Sequence, residues 1–268
     1  MCSFPILKYP RTPHLEGSRL QSGDADLNQI PFSAIRGRHL IVEEKCDGAN
    51  CAVSFDADGT LLLQSRGHYL KGGFGERHYE LLKTWAFVHR NAFYQVLGSR
   101  YIMYGEWMYA KHAVFYDRLP HYFLEFDLFD RERGVFLGTH VRKRLLETLS
   151  VVSVPVLAER AFHSQSELLS LLGPSNYISE RHIEVLRNSC MALGLDADKI
   201  CAETDGSVTM EGLYLKLEEN GVVTDRLKFV RSSYSQHILD SSTPWIDRPI
   251  VPNELSRPLG DLFLPKLN

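Results

Sequence analysis

The stretch HLIVEEKCDGANCAVSFDADGTLLLQS, residues 39–65, decides how this chain is interpreted. Its first part, residues 39–45, is a β-rich run that leads into an Asp-Gly turn. Two further runs, residues 51–55 and 60–65, are joined by a short turn that ends in glycine, which predicts a β-hairpin. Taken alone, the segment around Lys45 predicts only a strand that enters a tight turn, because Asp-Gly is above all a turn pair.

The rest of the chain predicts an α+β protein. β-rich runs predict further strands at residues 101–104, 121–130, 212–217 and 226–230. Apolar residues at helical spacing predict helices at residues 76–97, 141–149, 164–172 and 179–193. Residues 1–33, rich in Pro, Gly, Ser and Asp, predict an irregular arm. Because the strands outnumber any βαβ rhythm, a mainly antiparallel sheet system is favoured.

The composition of the chain limits the classes of protein to which it can belong. The 268 residues are 44% hydrophobic and 24% charged, as in an ordinary globular protein, and the net charge of -3 excludes a uniformly basic surface. Any binding to a polyanion must therefore come from a local patch. The five cysteines include no C-x-x-C pair, which favours reduced thiols and a cytoplasmic location. No apolar run reaches about 18 residues, so we expect a soluble protein without membrane segments.

Short segments that could carry chemistry follow Lys45 in a fixed order. They are Lys45-Cys46-Asp47-Gly48-Ala49-Asn50, Ser65-Arg66-Gly67, Tyr104-Gly105-Glu106-Trp107, Phe123-Leu124-Glu125-Phe126-Asp127, Glu211-Gly212-Leu213-Tyr214-Leu215-Lys216 and Arg226-Leu227-Lys228-Phe229. Each segment alone is a weak signal, and the ordered set is a strong one.

This ordered set resembles the covalent nucleotidyltransferase superfamily of DNA ligases, RNA ligases and mRNA-capping enzymes. The motifs of that superfamily run K-x-D-G, a downstream Arg, G-E, an aromatic-Asp strand, E-G-x-x-x-K and K-x-K. Asn50, which ends the first motif, is similar to the RNA ligase 2 type and related bacterial RNA ligases, whereas DNA ligases and capping enzymes usually carry Arg there. Arg226 departs from the pattern, which has Lys, and changes the donor geometry while retaining the charge.

The resemblance implies the fold and the domain organisation. We expect one nucleotidyltransferase (adenylation) domain over residues 1–268, with two packed, largely antiparallel sheets, flanking helices and the nucleotide between the sheets. About 37 residues follow the last motif, too few for the OB-fold that DNA ligases and capping enzymes append.

The chemistry of the central lysine follows from its reactivity. An amine that attacks the α-phosphate of a nucleoside triphosphate must be unprotonated, yet the reference pKa of lysine is about 10.4, so desolvation or nearby cations must lower the pKa of Lys45. Glu43 shares a strand face with Lys45, and an unscreened carboxylate there would raise that pKa. Developing phosphate charge requires cations, for which Lys216, Arg226 and Lys228 are the candidates.

The resemblance assigns roles to particular residues. The catalytic residues would be Lys45, Asp47, Glu106, Lys216, Arg226 and Lys228. The nucleotide would be bound by Glu43 (through its backbone carbonyl), Lys45, Asn50, Arg66, Glu106, Phe126 (stacked on the purine), Glu211, Lys216 and Lys228. Glu211 is the first choice of metal ligand and Glu106 the second.

The implied activity is that of an ATP-dependent RNA ligase. Lys45 would take AMP from ATP with Mg²⁺ or Mn²⁺, AMP would pass to a 5′-phosphate end of RNA, and a 3′-hydroxyl would displace it. A kinase-phosphatase partner would prepare such ends. The alternatives are a minimal ATP-dependent DNA nick ligase and a catalytically inactive nucleotide-binding module, while labelling by GTP would indicate a capping-type enzyme.

Three basic segments lie outside the motifs. Residues 36–38 form a basic loop ahead of the Lys45 strand, and residues 8–14 mix basic and aromatic residues, which suits phosphate contact with ring stacking. Residues 142–144 predict the solvated side of a helix.

Overall fold

Twelve strands and five α-helices are built around the Lys45 strand in the computed structural model, which describes residues 5–20, 28–234 and 248–266. The strands are β1 His14–Leu15, β2 Gln29–Ile30, β3 His39–Lys45, β4 Ala49–Phe55, β5 Leu61–Ser65, β6 Tyr101–Trp107, β7 Phe123–Asp130, β8 Val135–Leu137, β9 Val152–Ser153, β10 Val156–Ala161, β11 Gly212–Glu219 and β12 Val222–Val230. The α-helices are α1 Glu80–Leu97, α2 Thr139–Leu146, α3 Gln165–Leu169, α4 His182–Ala192 and α5 Ala197–Ala202.

The predicted antiparallel sheet system is confirmed. One half runs β10-β3-β11-β12 and the other runs β7-β6-β4-β5, and every pair in both is antiparallel. Short β8 pairs with both β12 and β7, so the two predicted sheets are halves of one folded-over sheet. The halves face each other, because Lys216 Nζ on β11 donates to the carbonyl of Phe126 on β7 at 2.5 Å.

The predicted hairpin is strands β4 and β5, closed by the turn at Asp56. The Asp56 carboxylate accepts from the backbone N–H groups of Asp58 (3.0 Å) and Thr60 (2.7 Å), which is turn chemistry typical of Asp. Strands β3 and β4 are consecutive in sequence but belong to different halves of the sheet. The chain therefore crosses between the halves immediately after Lys45.

Each half buries its own apolar side. Helix α1 packs on the β4–β7 half through residues such as Trp85 and Phe93, which are inaccessible to solvent. The other half is filled by alternate residues of β11 and β12, among them Leu215 and Leu227. The predicted helix 76–97 begins as a 3-10 helix, Phe74–Tyr79, before α1. Between the halves lie a smaller cluster that includes the buried rings of Tyr9 and Tyr104 and the polar side chains of a cavity.

The sequence did not predict β8, β9, β10 or α5, nor β1 and β2, which lie in the predicted irregular arm. These elements span two to six residues and carry too little periodicity to be recognised. The described C-terminal segment, residues 248–266, packs on the domain, where the Asn253 carbonyl accepts from Tyr122 Oη at 2.7 Å. Within the described residues, every helix is too short or too polar to cross a membrane.

Candidate active site

Lys45 ends β3 at the floor of a cavity of about 510 Å³ between the two sheet halves. Its Nζ donates to both carboxylate oxygens of Glu211, each at 2.7 Å. The Lys45 side chain keeps 23% of its surface exposed, whereas that of Glu211 keeps 1%. The cavity volume lies in the range of small-ligand pockets. The amine is therefore reachable from the cavity, and its partner carboxylate is buried beneath it.

The electrostatics of Lys45 differ from the expectation. Burial lowers its pKa, but the carboxylates of Glu211, Glu106 and Asp47 outweigh burial, and the net pKa is raised. Burial alone therefore does not produce the expected lowering of the Lys45 pKa, which leaves nearby cations, the other expected cause, to produce it. An additional cation is needed to free the amine.

Two carboxyls beside Lys45 have strongly raised pKa values. Burial, opposed by Lys45 and assisted by neighbouring acids, raises the pKa of Glu106 to about 8 and that of Glu211 to about 7. Within the described residues, no cluster of three His, Cys, Asp or Glu side chains converges on a metal position. A divalent cation would therefore be held by Glu106 and Glu211 together with phosphate oxygens and water, as Mg²⁺ usually is.

Asp47 lines the cavity and is also tied into the protein by hydrogen bonds. Its Oδ2 accepts from the backbone N–H groups of Ala113 (2.8 Å) and Val114 (3.0 Å), and its own N–H donates to Tyr116 Oη at 2.8 Å. The predicted catalytic residue Asp47 thus positions the turn after Lys45. Gly48 allows that turn, because an added Cβ would lie 2.9 Å from the carbonyl oxygen of Trp107.

Glu43 does not act on Lys45, because cations screen its carboxylate. Arg142 donates to Glu43 Oε1 at 3.0 Å and Lys216 Nζ lies 2.8 Å from Oε2, with all three side chains fully buried. Lys216 also lies 3.1 Å from Asp127 Oδ1. We call Glu43, Glu125, Asp127, Arg142, Lys216 and Arg226 the buried charge cluster.

The buried charge cluster corrects three predictions. Lys216 was expected to contact phosphate, but it is inaccessible and does not line the cavity. Arg226 does not line it either, since its guanidinium lies 3.4 Å from Asp127 and stacks over Phe136. Arg142 was expected on a solvated helix side, yet it is fully buried. Of the three predicted phosphate cations, Lys228 alone lines the cavity.

Phe126 reaches the cavity through an irregularity in β7. The register with β6 shifts between Tyr104 and Gly105, so Phe126 has no Cα partner on β6. Such a bulge redirects a side chain, and Phe126 lines the cavity while Leu124 stays in the core. The strict alternation of side chains along the strand is interrupted at this residue.

The remaining predicted residues also line the cavity. Asn50 lies opposite Glu106 on the neighbouring strand, and its buried Oδ1 has no hydrogen-bond partner among the described residues. Arg66 is exposed at the rim. Glu211 lies immediately before β11, where Gly212 permits the close approach of β12. An added Cβ on Gly212 would lie 1.9 Å from the carbonyl oxygen of Phe229.

Tyr9 is a cavity residue whose position the sequence did not predict. It is 7% exposed, its hydroxyl bonds to Asp127 and lies 2.7 Å from Tyr214 Oη, and its ring packs edge-on against Phe126 at 5.1 Å. The arm was expected to contact nucleic acid through stacking. In the structure Tyr9, Pro10 and Thr12 of the arm line the cavity, and the mixture of basic and aromatic residues in this segment was the sequence signal for it.

Comparisons with known proteins identify a family and similar folds. A family model described as RNA ligase matches residues 38–230. Among solved structures, a mutant of Naegleria gruberi RNA ligase with ATP and Mn aligns at 18% identity and a TM-score of 0.53, covering 87% of this chain and 59% of that chain. An apo mutant of the same ligase aligns at 18% identity and a TM-score of 0.53, covering 89% and 60%. The chain thus spans about three fifths of the length of those ligase chains. A search of curated proteins found no significant match.

Proposed function

The chain belongs to the RNA ligase family, and from this premise we propose that it is an ATP-dependent RNA ligase that carries AMP on Lys45. The observation that carries the proposal is the pairing of an accessible Lys45 amine with the buried Glu211 carboxylate at a cavity floor. Phe126 lies on one wall of that cavity and Lys228 on another. The cavity thus brings together a nucleophile (Lys45), an aromatic ring that could stack on a nucleobase (Phe126) and a cation that could contact phosphate (Lys228).

In the first step, Lys45 Nζ attacks the α-phosphorus of ATP. A bond forms between Nζ and phosphorus, the bond to the bridging oxygen breaks, and pyrophosphate leaves with the electron pair. The amine must first lose a proton, which the exposed fraction of its side chain allows it to release to solvent. AMP then passes to the 5′-phosphate of an RNA end, and a 3′-hydroxyl displaces it.

A divalent cation such as Mg²⁺ or Mn²⁺ fits this site because the carboxyls of Glu106, Asp47 and Glu211 all interact with Lys45, and a cation would stabilise the ionised forms that burial disfavours in Glu106 and Glu211. When bound, the cation supplies positive charge to the phosphates and competes with Lys45 for the Glu211 carboxylate. Glu211 and Glu106 would hold it. Loss of the Glu211 contact would lower the pKa of Lys45, as the attack requires.

The base and ribose would lie on the side of the cavity formed by Phe126 and Asn50. Phe126 offers a ring for stacking, and the unsatisfied Asn50 Oδ1 offers an acceptor for a ligand donor. The cavity wall also includes Glu43, whose backbone carbonyl is the proposed acceptor for the adenine amino group. Lys228 and Arg66 are the proposed phosphate contacts, because both line the cavity.

The decisive experiment is covalent labelling of the protein with each of the four α-labelled nucleoside triphosphates and Mg²⁺. We expect label from ATP, stable to denaturation as a phosphoramidate, and none in Lys45→Ala or Lys45→Arg. Lys143→Ala, which removes an exposed lysine on α2, is the matched control and should label normally.

The other outcomes separate the alternatives. Failure of the wild-type protein to label with any triphosphate would indicate an inactive nucleotide-binding module. Label from GTP instead of ATP would indicate a capping-type enzyme. Sealing of matched RNA and DNA nicks by the labelled protein then distinguishes an RNA ligase from a DNA nick ligase.

We further propose that the RNA ends come from a kinase-phosphatase partner, because the ligase reaction consumes 5′-phosphate and 3′-hydroxyl ends that many cleavages do not leave. A cytoplasmic location is proposed on the cysteines, of which Cys46, Cys51, Cys190 and Cys201 are free. Co-purification of an end-healing activity from the native host would test the first proposal.

A further inference from the structure

A loop at the mouth of the cavity presents an aromatic ring to solvent. We call residues 66–77 the rim loop. Arg66, His68 and Gly75 of this loop line the cavity, and Phe74 lies beside them in sequence with 82% of its surface exposed. That is the highest exposure of any large hydrophobic side chain in the described residues. A single exposed apolar residue is ordinary on a protein surface, so the significance of Phe74 depends on where it lies and on the residues near it.

The rim loop is held in place by hydrogen bonds on both sides of its tip. The Leu70 N–H donates to the Leu63 carbonyl of β5 at 2.8 Å. On the other side, the Glu76 carboxylate accepts from the N–H groups of Lys71 (3.0 Å) and Gly72 (2.7 Å). Glu76 is itself buried and lies 2.8 Å from Lys83 Nζ of α1. Phe74 is therefore exposed on an anchored loop.

Two glycines shape the tip so that the ring points outward. Gly72 and Gly73 have φ angles of 104° and 115°, which L side chains rarely adopt. No atom lies within 4 Å of a Cβ built on either residue, so backbone conformation and not crowding requires glycine here.

One cation lies against the exposed ring, and two more are carried by the same loop. The Arg77 guanidinium lies 4.7 Å from the centroid of the Phe74 ring, and Arg66 and Lys71 are exposed on the same loop. The one acid in the loop, Glu76, is neutralised by Lys83. A ring flanked by Arg and Lys is the surface on which single-stranded nucleic acids stack their bases while phosphates meet the cations. On a protein of net charge -3 this is a local basic patch.

We propose that the rim loop binds the RNA strand beside the joining site, with a nucleobase stacked on Phe74 and the adjoining phosphates at Arg66 and Lys71. This inference rests on the proposed function for the identity of the strand, and it adds the position of that strand. Because Arg66 belongs to both the cavity and the loop, the 5′-phosphate end would enter the cavity from this side.

The test measures RNA binding directly. Phe74→Trp places a fluorophore at the loop tip, and a single-stranded 5′-phosphorylated RNA should quench it on stacking. Phe74→Ala should weaken binding of that RNA in fluorescence anisotropy about tenfold, and Phe74→Tyr should restore it. Covalent labelling with ATP, which needs no RNA, should stay at the wild-type level in all three variants.

The matched control is Phe87→Ala on α1, which removes another exposed ring paired with an arginine, since Arg90 lies 4.1 Å from its centroid. It should leave RNA binding unchanged. Equal RNA affinity of Phe74→Ala and the wild type, or loss of quenching in Phe74→Trp, would overturn the proposal and point to a protein partner for this ring. Absence of ATP labelling in the wild type would overturn the proposed function instead, whatever the RNA binding shows.

Discussion

Lys216 Nζ lies 2.8 Å from Glu43 Oε2, and neither side chain is accessible to solvent. The contact joins β11 to β3, and Lys216 reaches β7 as well through Asp127. Burial penalises the ionised form of Asp127, but Lys216, Arg226 and Arg142 outweigh burial and lower its pKa. The residue predicted to hold a phosphate therefore holds the two halves of the sheet together.

Lys216→Met should destabilise the protein by about 3–5 kcal/mol, because it leaves Glu43 and Asp127 buried with fewer cations. Urea unfolding measures the loss. The matched control is Arg38→Ala, which breaks the ion pair between Arg38 and Glu219. The Arg38 side chain is 43% exposed and that of Glu219 60%, so this change should destabilise the protein by less than about 1 kcal/mol. Equal losses in the two variants would argue against a structural role for Lys216.

Tyr9→Ala should raise the KM for ATP in the labelling reaction by a factor of about five, because Phe126 loses the ring that packs against its edge. Tyr9→Phe keeps that ring and removes only the hydroxyl contacts, so its KM should rise less. The initial rate of labelling against ATP concentration measures both. An unchanged KM in Tyr9→Ala would mean that the arm does not support the base-binding wall.

The raised pKa of Glu106 makes the stability of the ligand-free protein depend on pH. The folded protein holds a proton on Glu106 up to about pH 8, whereas the unfolded chain releases it near 4.5. The stabilisation of the folded protein by this tighter proton binding is complete below the Glu106 pKa of the unfolded chain. It is lost as pH rises toward the folded pKa of about 8. Glu106→Gln has no carboxyl to titrate at this position, so it does not lose this stabilisation as pH rises. The Tm of the variant minus the Tm of the wild type should therefore increase by a few degrees between pH 5 and pH 8. A difference independent of pH would contradict the raised pKa.

Gly212→Ala should prevent correct pairing of β11 with β12, because its Cβ would lie 1.9 Å from a backbone oxygen that cannot move away. We expect loss of several kcal/mol of stability or failure to fold. The control Gly206→Ala adds a Cβ with no atom within 4 Å and should change stability by less than about 0.5 kcal/mol. Thermal unfolding of the two variants compares them directly.

Local patterns predicted the elements that are long and regular. The strands predicted at residues 212–217 and 226–230 were confirmed as parts of β11 and β12, in which Leu227 and Phe229 face the core. The bulge at Phe126 was not predicted, because it depends on the register against β6. The 3-10 helix that precedes α1 was not predicted either, because the residue spacings of 3-10 and α-helices differ little over one turn.

The amino-acid sequence by itself determined the antiparallel α+β class and the order of the motifs that gather Lys45, Glu106, Phe126 and Glu211 around one cavity. The class follows from periodicity and turn chemistry, which act over a few residues, whereas the motif set was recognised through its resemblance to a known family. Only the tertiary structure decided which of three basic residues meets solvent in that cavity, since Lys216 and Arg226 pair with acids far away in the chain while Lys228 lines the cavity wall. The charge of a side chain is a local property, whereas its partner depends on how the two halves of the sheet face each other.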